Sequence, residues 1–217
     1  MTYESFELHE MSPACGAIIE GIDLGRELTN RKFDEIHQAL LDRTVIVFRN
    51  QDMTPDQHVA FTRRFGELQP SAVSGFEKSK DNPEIDILEY DASNPPHETL
   101  DLWHTDFAGM EVPSMGTSLY ARDIPPRGGD TVWVNMIAAY EALSDRMRAH
   151  LDGLWAYHDR FKAYDEHVRP DLWNKSHQEH LRNRKANYTP ALHPVIRTHP
   201  VTGKRGLFVN ESMTTFI

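Results

Sequence analysis

The chain carries the motif Trp103-His104-Thr105-Asp106 shortly after a proline-containing loop at Pro95-Pro96. In an extended segment, successive side chains point to opposite faces, so His104 and Asp106 would project together while Thr105 points away. An imidazole nitrogen and a carboxylate oxygen are two of the three ligands in the two-His-one-carboxylate iron triad, which leaves further positions on the metal open. The motif therefore predicts a metal pair, His104 and Asp106, that still needs a second histidine.

The His-x-Asp pattern alone is not specific in a chain with 12 histidines among 217 residues. A second copy, His150-Leu151-Asp152, lies in a predicted helix, where residues two apart point in nearly opposite directions. A third candidate, His177-Gln178-Glu179-His180, lies in a polar run that is typical of a solvated helix face. The copy at 104–106 is preferred because irregular chain enters an extended segment there, and functional residues concentrate at such places.

Composition predicts one ordinary globular domain over residues 1–217, with 39% hydrophobic and 26% charged residues. No apolar run is long enough to span a bilayer, and no secretory signal is visible, so we expect a cytoplasmic protein without a membrane partner. The formal net charge of -10 argues against a nucleic-acid partner, because phosphate binding needs clustered basic residues. The single cysteine, Cys15, excludes an intrachain disulfide and is expected to be a small buried residue.

Apolar spacing and turn signals predict a mainly β chain with flanking helices, an α+β arrangement. Helices are predicted at 33–41, 54–65 and 138–143. Strands are predicted at 44–48, 85–90, 115–120, 131–134, 154–158, 195–197 and 206–209. The polar stretch 75–96 is a candidate cover over a site, because functional loops often have this composition.

Five segments resemble the taurine dioxygenase family in order and spacing. They are 103–106, 128–133, 138–143, 193–200 and 207–210. The resemblance extends upstream to Gly16 and so covers essentially the whole chain. That family also includes alkylsulfate and phenoxyacetate dioxygenases.

The resemblance implies a double-stranded β-helix, also called a jelly roll. It also implies an enzyme that uses Fe(II), 2-oxoglutarate and O2 and releases succinate and CO2. The implied substrate is a small organic acid such as a sulfonate, an alkylsulfate or an aryloxyalkanoate, and association into a homo-oligomer stays open.

The resemblance further implies His104 and Asp106 as metal ligands and Thr131 as the hydroxyl that binds the 2-oxoglutarate carboxylate. The residues that fall where family members line the substrate pocket are Ser71, Phe107, Tyr164 and Met213. Other matching residues, interpreted as scaffold, are Trp133, His193 and His199. By residue type alone, Thr131 is equally a β-branched strand residue, and the aromatic residues are equally core.

In that family, the third metal ligand and an arginine for 2-oxoglutarate lie well downstream of the strand that ends at Asn210. The sequence printed here ends at Ile217. We therefore expect a dioxygenase truncated at its C-terminus, without those two residues or the closing strands of the β-helix. The alternative is that another chain supplies them.

Taurine-specific members of that family place a histidine just after the Phe-Gly-Glu-Leu segment. This chain has Gln69-Pro70-Ser71 at that place. Together with Phe107 beside the metal pair, this difference predicts a substrate that is larger or more apolar than taurine.

Two other functions remain open. The first is a non-catalytic β-helix fragment that binds a partner or small molecule, or that has no activity. The second is a cupin-like isomerase or lyase, which would use several histidines close together on strands; the absence of a second histidine near His104 and Asp106 argues against it. Dependence of the reaction on 2-oxoglutarate distinguishes both of them from a dioxygenase.

Overall fold

The computed structural model describes residues 3–69, 77–90, 102–162 and 188–217. The chain divides into two units, each with its own apolar cluster. The first unit comprises Met1–Glu89 and Ser118–Asn135, and the second comprises Tyr90–Thr117 and Met136–Ile217. Across the described ranges, no helix combines the length and the apolar character that crossing a membrane requires.

The first unit is built on a three-stranded sheet with the order β1-β2-β3. Strands β1 (Glu7–Glu10) and β2 (Ala17–Glu20) pair antiparallel, and β3 (Ile46–Phe48) pairs with β2 in parallel. A parallel pair needs a crossover connection, which helix α1 (Asn30–Arg43) supplies. A short antiparallel pair follows later in the chain, formed by β4 (Glu77–Lys78) and β5 (Asp86–Ile87).

Side-chain caps set where both helices of this unit begin. The Thr29 side chain accepts a hydrogen bond from the Lys32 N–H at the start of α1. Helix α2 (Pro55–Arg63) has a capping box, in which Thr54 and Gln57 each accept from the other's backbone N–H. Such caps satisfy N–H groups that have no partner inside the helix.

The apolar face of α1 contributes to the core of the first unit. The buried members of that core are Phe6, Ile19, Ile22, Leu24, Ile36, Ala39 and Met53. Burying one large side chain of this kind contributes about 1.5–3 kcal/mol. The cluster therefore holds α1 against the three-stranded sheet.

The second unit contains two helices, a three-stranded sheet and a hairpin. The helices are α3 (Met136–Glu141) and α4 (Asp145–Leu151). The sheet has the order β10-β6-β7 and is formed by β6 (Trp155–His158), β7 (Ala191–Pro194) and β10 (Thr214–Phe216). The hairpin pairs β8 (Ile196–Thr198) with β9 (Arg205–Leu207). Ala156 and His158 of β6 are fully buried, so these side chains point to the buried face of the sheet.

Most of the predicted elements are confirmed. Helices α1, α2 and α3 overlap the three predicted helices, and β3, β5, β6, β8 and β9 overlap predicted strands. The second His-x-Asp copy lies at the end of α4, as expected. Strands β1, β2, β4, β7 and β10 were not predicted. Strand β7 includes a proline, and the other four are only two to four residues long. The candidate cover at 75–96 lies partly outside the described residues.

The prediction of strands at 115–120 and 131–134 is wrong. Both segments are irregular, and most of their apolar side chains are exposed, with Met115 at 61%, Leu119 at 69% and Val132 at 67%. A strand needs a hydrogen-bonded neighbour, and within the described ranges no strand pairs with either segment. β-branched composition favours an extended backbone but cannot supply that neighbour. Cys15 is also half-exposed and not buried as expected.

Candidate metal centre

The metal pair lies at the entry to a turn and not in a strand. Residues 103–105 are irregular, and the turn is closed where the Ala108 N–H donates to the Thr105 carbonyl oxygen at 3.1 Å. The two side chains nevertheless converge, because His104 Nε2 lies 3.4 Å from Asp106 Oδ1. The expectation that they project together is confirmed, although the turn and not a pleated strand brings them together.

A backbone hydrogen bond orients the imidazole of His104. Its Nδ1 lies 2.8 Å from the Leu102 carbonyl oxygen, which can only accept, so Nδ1 carries the proton. When the ring is neutral, Nε2 has the free lone pair, and Nε2 is the atom that faces Asp106. Metal-binding histidines commonly have this arrangement, with the second ring nitrogen donating to a carbonyl or carboxylate.

A hydroxyl group orients the carboxylate of Asp106 in a similar way. Thr117 Oγ1 donates to Asp106 Oδ2 at 2.6 Å, so the other oxygen, Oδ1, faces His104. When His104 is protonated, its Nε2 donates to Asp106 Oδ1. This hydrogen bond holds the pKa of Asp106 below its usual value, and the Thr117 hydroxyl lowers it further. Asp106 also raises the pKa of His104, chiefly through their hydrogen bond, while burial opposes the increase. The carboxylate therefore stays ionised at neutral pH, as a metal ligand must.

The separation of the two donor atoms fits a shared metal ion. Two ligands bound at about 2.1 Å and at right angles are about 3 Å apart, close to the 3.4 Å between Nε2 and Oδ1. One imidazole nitrogen and one carboxylate oxygen suit non-haem Fe(II). The side chains of His104 and Asp106 are 37% and 46% exposed, so an ion can reach them.

In the part of the chain that the structure describes, no third ligand joins this pair. The group of three that could hold an ion there is Glu7, His9 and Glu20, which are exposed in the first unit. Exposed acidic groups of this kind are common without an ion. The candidate centre thus consists of two oriented donors, and a third would come from outside the described residues.

Three hydrogen bonds fix the backbone of the segment that carries the pair. The Ser212 N–H donates to the Trp103 carbonyl oxygen at 3.1 Å. The Tyr188 hydroxyl donates to the carbonyl oxygen of Gly109 at 2.7 Å. His193 Nε2 donates to the carbonyl oxygen that follows, that of Met110, at 2.8 Å. Sequence reasoning interpreted His193 as scaffold, which this contact confirms, and it missed Tyr188 and Thr117.

Gly109 is required by the close approach of Tyr188. A Cβ atom at Gly109 would lie 2.3 Å from the Tyr188 hydroxyl oxygen and 3.1 Å from the Arg160 nitrogen. That hydroxyl also accepts from the Arg160 N–H at 3.2 Å, so its position is set from two sides. Burial raises the pKa of Tyr188, which keeps the hydroxyl protonated and able to donate.

The buried histidine His158 lies beside His193. Their ring centroids are 5.5 Å apart, and the Nε2 atom of His158 makes no hydrogen bond within the described part of the chain. His158 is fully buried. Burial lowers the pKa of His158 to about 4, and the nearby His193 adds to the effect. His158 is therefore neutral in the folded protein at physiological pH.

The residues predicted to bind substrate or cosubstrate are placed as follows. Phe107 is half-buried directly after Asp106, in a left-handed conformation with φ of 56°. Met213 is half-buried, with its N–H donating to the Asn210 side chain at 2.8 Å. Thr131 is exposed in an irregular segment of the first unit, whereas the metal pair belongs to the second. Ser71 and Tyr164 lie outside the described residues, and all five roles stay predictions.

The remaining scaffold residues have local roles. Nδ1 of His199 accepts from the N–H groups of Val201 and Thr202 at 3.2 and 3.1 Å, which stabilises the turn of the β8-β9 hairpin. That contact confirms its interpretation as scaffold. Trp133 is exposed in the first unit, and its carbonyl oxygen lies 4.0 Å from the sulfur atom of Cys15.

Comparison with known proteins gives consistent matches. The model of the family described as "Taurine catabolism dioxygenase TauD, TfdA family" matches residues 7–217. An alpha-ketoglutarate-dependent sulfate ester dioxygenase from Pseudomonas putida is 30% identical over 93% of this chain and 65% of its own length. A 2,4-dichlorophenoxyacetate dioxygenase from Cupriavidus pinatubonensis is 30% identical over 92% of this chain and 71% of its own.

Solved structures give the same result for the fold. The crystal structure of a taurine dioxygenase from Burkholderia xenovorans matches with a TM-score of 0.69 and 33% identity, over 98% of this chain and 66% of the other. The expected fold, a mainly β jelly roll with flanking helices, is confirmed by this match. The chain spans 52%, 65% and 71% of the length of three curated relatives that it matches.

Proposed function

Since the chain belongs to the taurine catabolism dioxygenase TauD, TfdA family, we propose that its protein is an Fe(II)- and 2-oxoglutarate-dependent dioxygenase. The observation that carries the proposal is the convergence of His104 Nε2 and Asp106 Oδ1 at 3.4 Å, each donor oriented by a hydrogen bond at its other end. A pair oriented in this way is suited to metal binding.

Each residue has a stated task in this proposal. His104 supplies a neutral nitrogen and Asp106 an anionic oxygen to the iron, and a third ligand comes from outside the described residues. Thr131 donates a hydrogen bond to the carboxylate of 2-oxoglutarate. When bound, Fe(II) with 2-oxoglutarate and O2 supplies the oxidation that converts a C–H bond of the substrate to C–OH, while 2-oxoglutarate becomes succinate and CO2.

The substrate is proposed to be a small organic acid such as a sulfonate, an alkylsulfate or an aryloxyalkanoate. Support comes from the relatives, which include a sulfate ester dioxygenase and a 2,4-dichlorophenoxyacetate dioxygenase. The substrate pocket is proposed to be lined by Ser71, Phe107, Tyr164 and Met213. A cytoplasmic location and association into a homo-oligomer belong to the same proposal, and fractionation and size-exclusion chromatography test them.

Succinate production tests the function directly. The full-length protein should convert 2-oxoglutarate to succinate only with Fe(II) and O2, and His104→Ala and Asp106→Ala should each abolish the reaction. His150→Ala is the matched control, because His150 belongs to the other His-x-Asp copy and is exposed on α4. Normal turnover in either metal-pair variant would contradict the proposal. If the unsubstituted protein (the parent) is folded but shows no turnover, a non-catalytic binding module is favoured. The two-donor centre is the observation that supports this second function.

A further inference from the structure

Thr117 makes a short hydrogen bond to the proposed metal ligand Asp106. Its hydroxyl donates to Oδ2 at 2.6 Å, within the range of charge-assisted O–H···O⁻ bonds. Thr117 lies in the exposed segment 115–120. Composition predicts that this segment is a strand, and nothing in the local sequence pattern links it to Asp106. The contact joins residues 11 positions apart.

The two oxygens of Asp106 therefore have different surroundings. Oδ2 accepts the Thr117 hydroxyl, and Oδ1 faces His104 Nε2 at 3.4 Å. A carboxylate can bind a cation through one oxygen or through both. The hydroxyl stabilises the orientation of the carboxylate in which Oδ1 faces His104 Nε2.

We propose that Thr117 is a positioning residue that keeps Asp106 a one-oxygen ligand of the metal, an inference that rests on the proposed function. With Oδ2 engaged by Thr117, that oxygen would stay out of the coordination of a bound ion, and the position that it would otherwise take would remain open for 2-oxoglutarate. The Leu102 carbonyl performs the equivalent task for His104 by fixing its ring. Each ligand of the pair thus has its own orienting partner.

Three variants of the full-length protein separate this role from a structural one. Thr117→Val removes the hydroxyl and keeps the shape of the side chain, whereas Thr117→Ser keeps the hydroxyl. Thr198→Val is the matched control, because Thr198 is an exposed threonine of strand β8 in the same unit. Thermal unfolding without metal shows whether each variant is folded before binding is measured.

The readouts are two dissociation constants measured without turnover. Mn(II) alone is titrated by electron paramagnetic resonance, and 2-oxoglutarate is then titrated into the Mn(II)-loaded protein by calorimetry. Thr117→Val should weaken 2-oxoglutarate binding by about tenfold, because the released oxygen competes for the coordination position of the cosubstrate; orienting partners of metal ligands affect metal affinity or activity by at least this factor. Its Kd for Mn(II) alone should change less, because the released oxygen can bind the ion. Thr117→Ser and Thr198→Val should have the same Kd values for Mn(II) and for 2-oxoglutarate as the parent.

Each outcome decides the inference. It is overturned if Thr117→Val binds 2-oxoglutarate as the parent does, or if Thr117→Ser is impaired to the same extent. It is also overturned if Thr117→Val weakens Mn(II) and 2-oxoglutarate binding in parallel, since that indicates general loosening of the segment. A parent that binds neither Mn(II) nor 2-oxoglutarate would overturn the proposed function as well, so the two failures are distinguishable.

Discussion

His193 donates from Nε2 to the carbonyl oxygen of Met110 at 2.8 Å, which ties the turn after the metal pair to strand β7, 83 residues along the chain. The histidine is buried, so water cannot replace the bond at little cost. The position of the metal pair thus depends on a contact with strand β7 of the second unit.

Replacing His193 by Phe should therefore destabilise the fold and loosen the metal pair. The Met110 carbonyl oxygen loses its donor, which we expect to cost about 1–3 kcal/mol of unfolding free energy. Mn(II) binding should weaken by about tenfold, because the ligands lose their support. His193→Gln retains an N–H donor. Its unfolding free energy and its Mn(II) affinity should therefore lie between those of the Phe variant and those of the unsubstituted protein. Equal urea-unfolding free energies for the Phe variant, the Gln variant and the parent would contradict this account.

Gly109→Ala should destabilise the protein through a clash with Tyr188. The added Cβ would lie 2.3 Å from the Tyr188 hydroxyl oxygen, so the turn or the tyrosine must move. Overpacking of this kind costs about 1–3 kcal/mol. Gly116→Ala is the matched control, because nothing lies within 4 Å of its added Cβ, and it should change stability by less than about 0.5 kcal/mol.

The double variant Gly109→Ala, Tyr188→Phe identifies the source of that cost. Removing the hydroxyl removes the nearest atom of the clash, so the double variant should be more stable than the sum of the two single changes predicts. Strictly additive unfolding free energies would show that the Tyr188 hydroxyl does not cause the strain.

The buried His158 should make stability depend on pH. Its folded pKa of about 4 lies below the ordinary 6.5, so the unfolded chain binds the proton more readily. The contribution is fully present above pH 6.5 and is lost as the pH falls from 6.5 towards 4. At about 1.4 kcal/mol per pKa unit, the loss amounts to at most about 3 kcal/mol.

Urea unfolding at a series of pH values measures this effect. The parent should lose more stability than His158→Leu between pH 6.5 and pH 4, since the variant has no proton to bind at that position. The exposed His150→Ala variant should follow the parent. If His158→Leu and the parent show the same pH dependence, His158 is not the group responsible.

Taurine should be a poor substrate. The chain has Gln69-Pro70-Ser71 where taurine-specific members place a histidine, and Phe107 is half-buried beside the metal pair. A competition assay with taurine, an alkylsulfate and an aryloxyacetate should give the higher kcat/KM for the two larger acids. A preference for taurine would refute the expected pocket.

Local sequence patterns were sufficient to predict the helices and the pair formed by His104 and Asp106. The Thr54 and Gln57 capping box is visible in the sequence because its two partners are three residues apart. His104 and Asp106 are also neighbours in sequence, so a turn brings them together as readily as a strand would. Features of this kind are encoded within a few residues.

The contacts that support the centre could not be predicted in this way. Thr117, Tyr188 and His193 reach the metal-bearing segment across 11, 79 and 83 residues, respectively. No periodicity or turn signal encodes contacts over such sequence separations, since they depend on how distant segments of the chain pack together. The strand predictions at 115–120 and 131–134 failed for the same reason, because a strand is defined by a partner that its own sequence does not contain.

The central claim is that His104 and Asp106 hold the metal on which 2-oxoglutarate binds. An anaerobic titration of the full-length protein with Fe(II) and 2-oxoglutarate, followed by visible absorption, tests it most directly. We predict a charge-transfer band in the parent and in His150→Ala, and no band in His104→Ala or Asp106→Ala. A band of normal intensity in either metal-pair variant, or no band in a folded parent, would contradict the account.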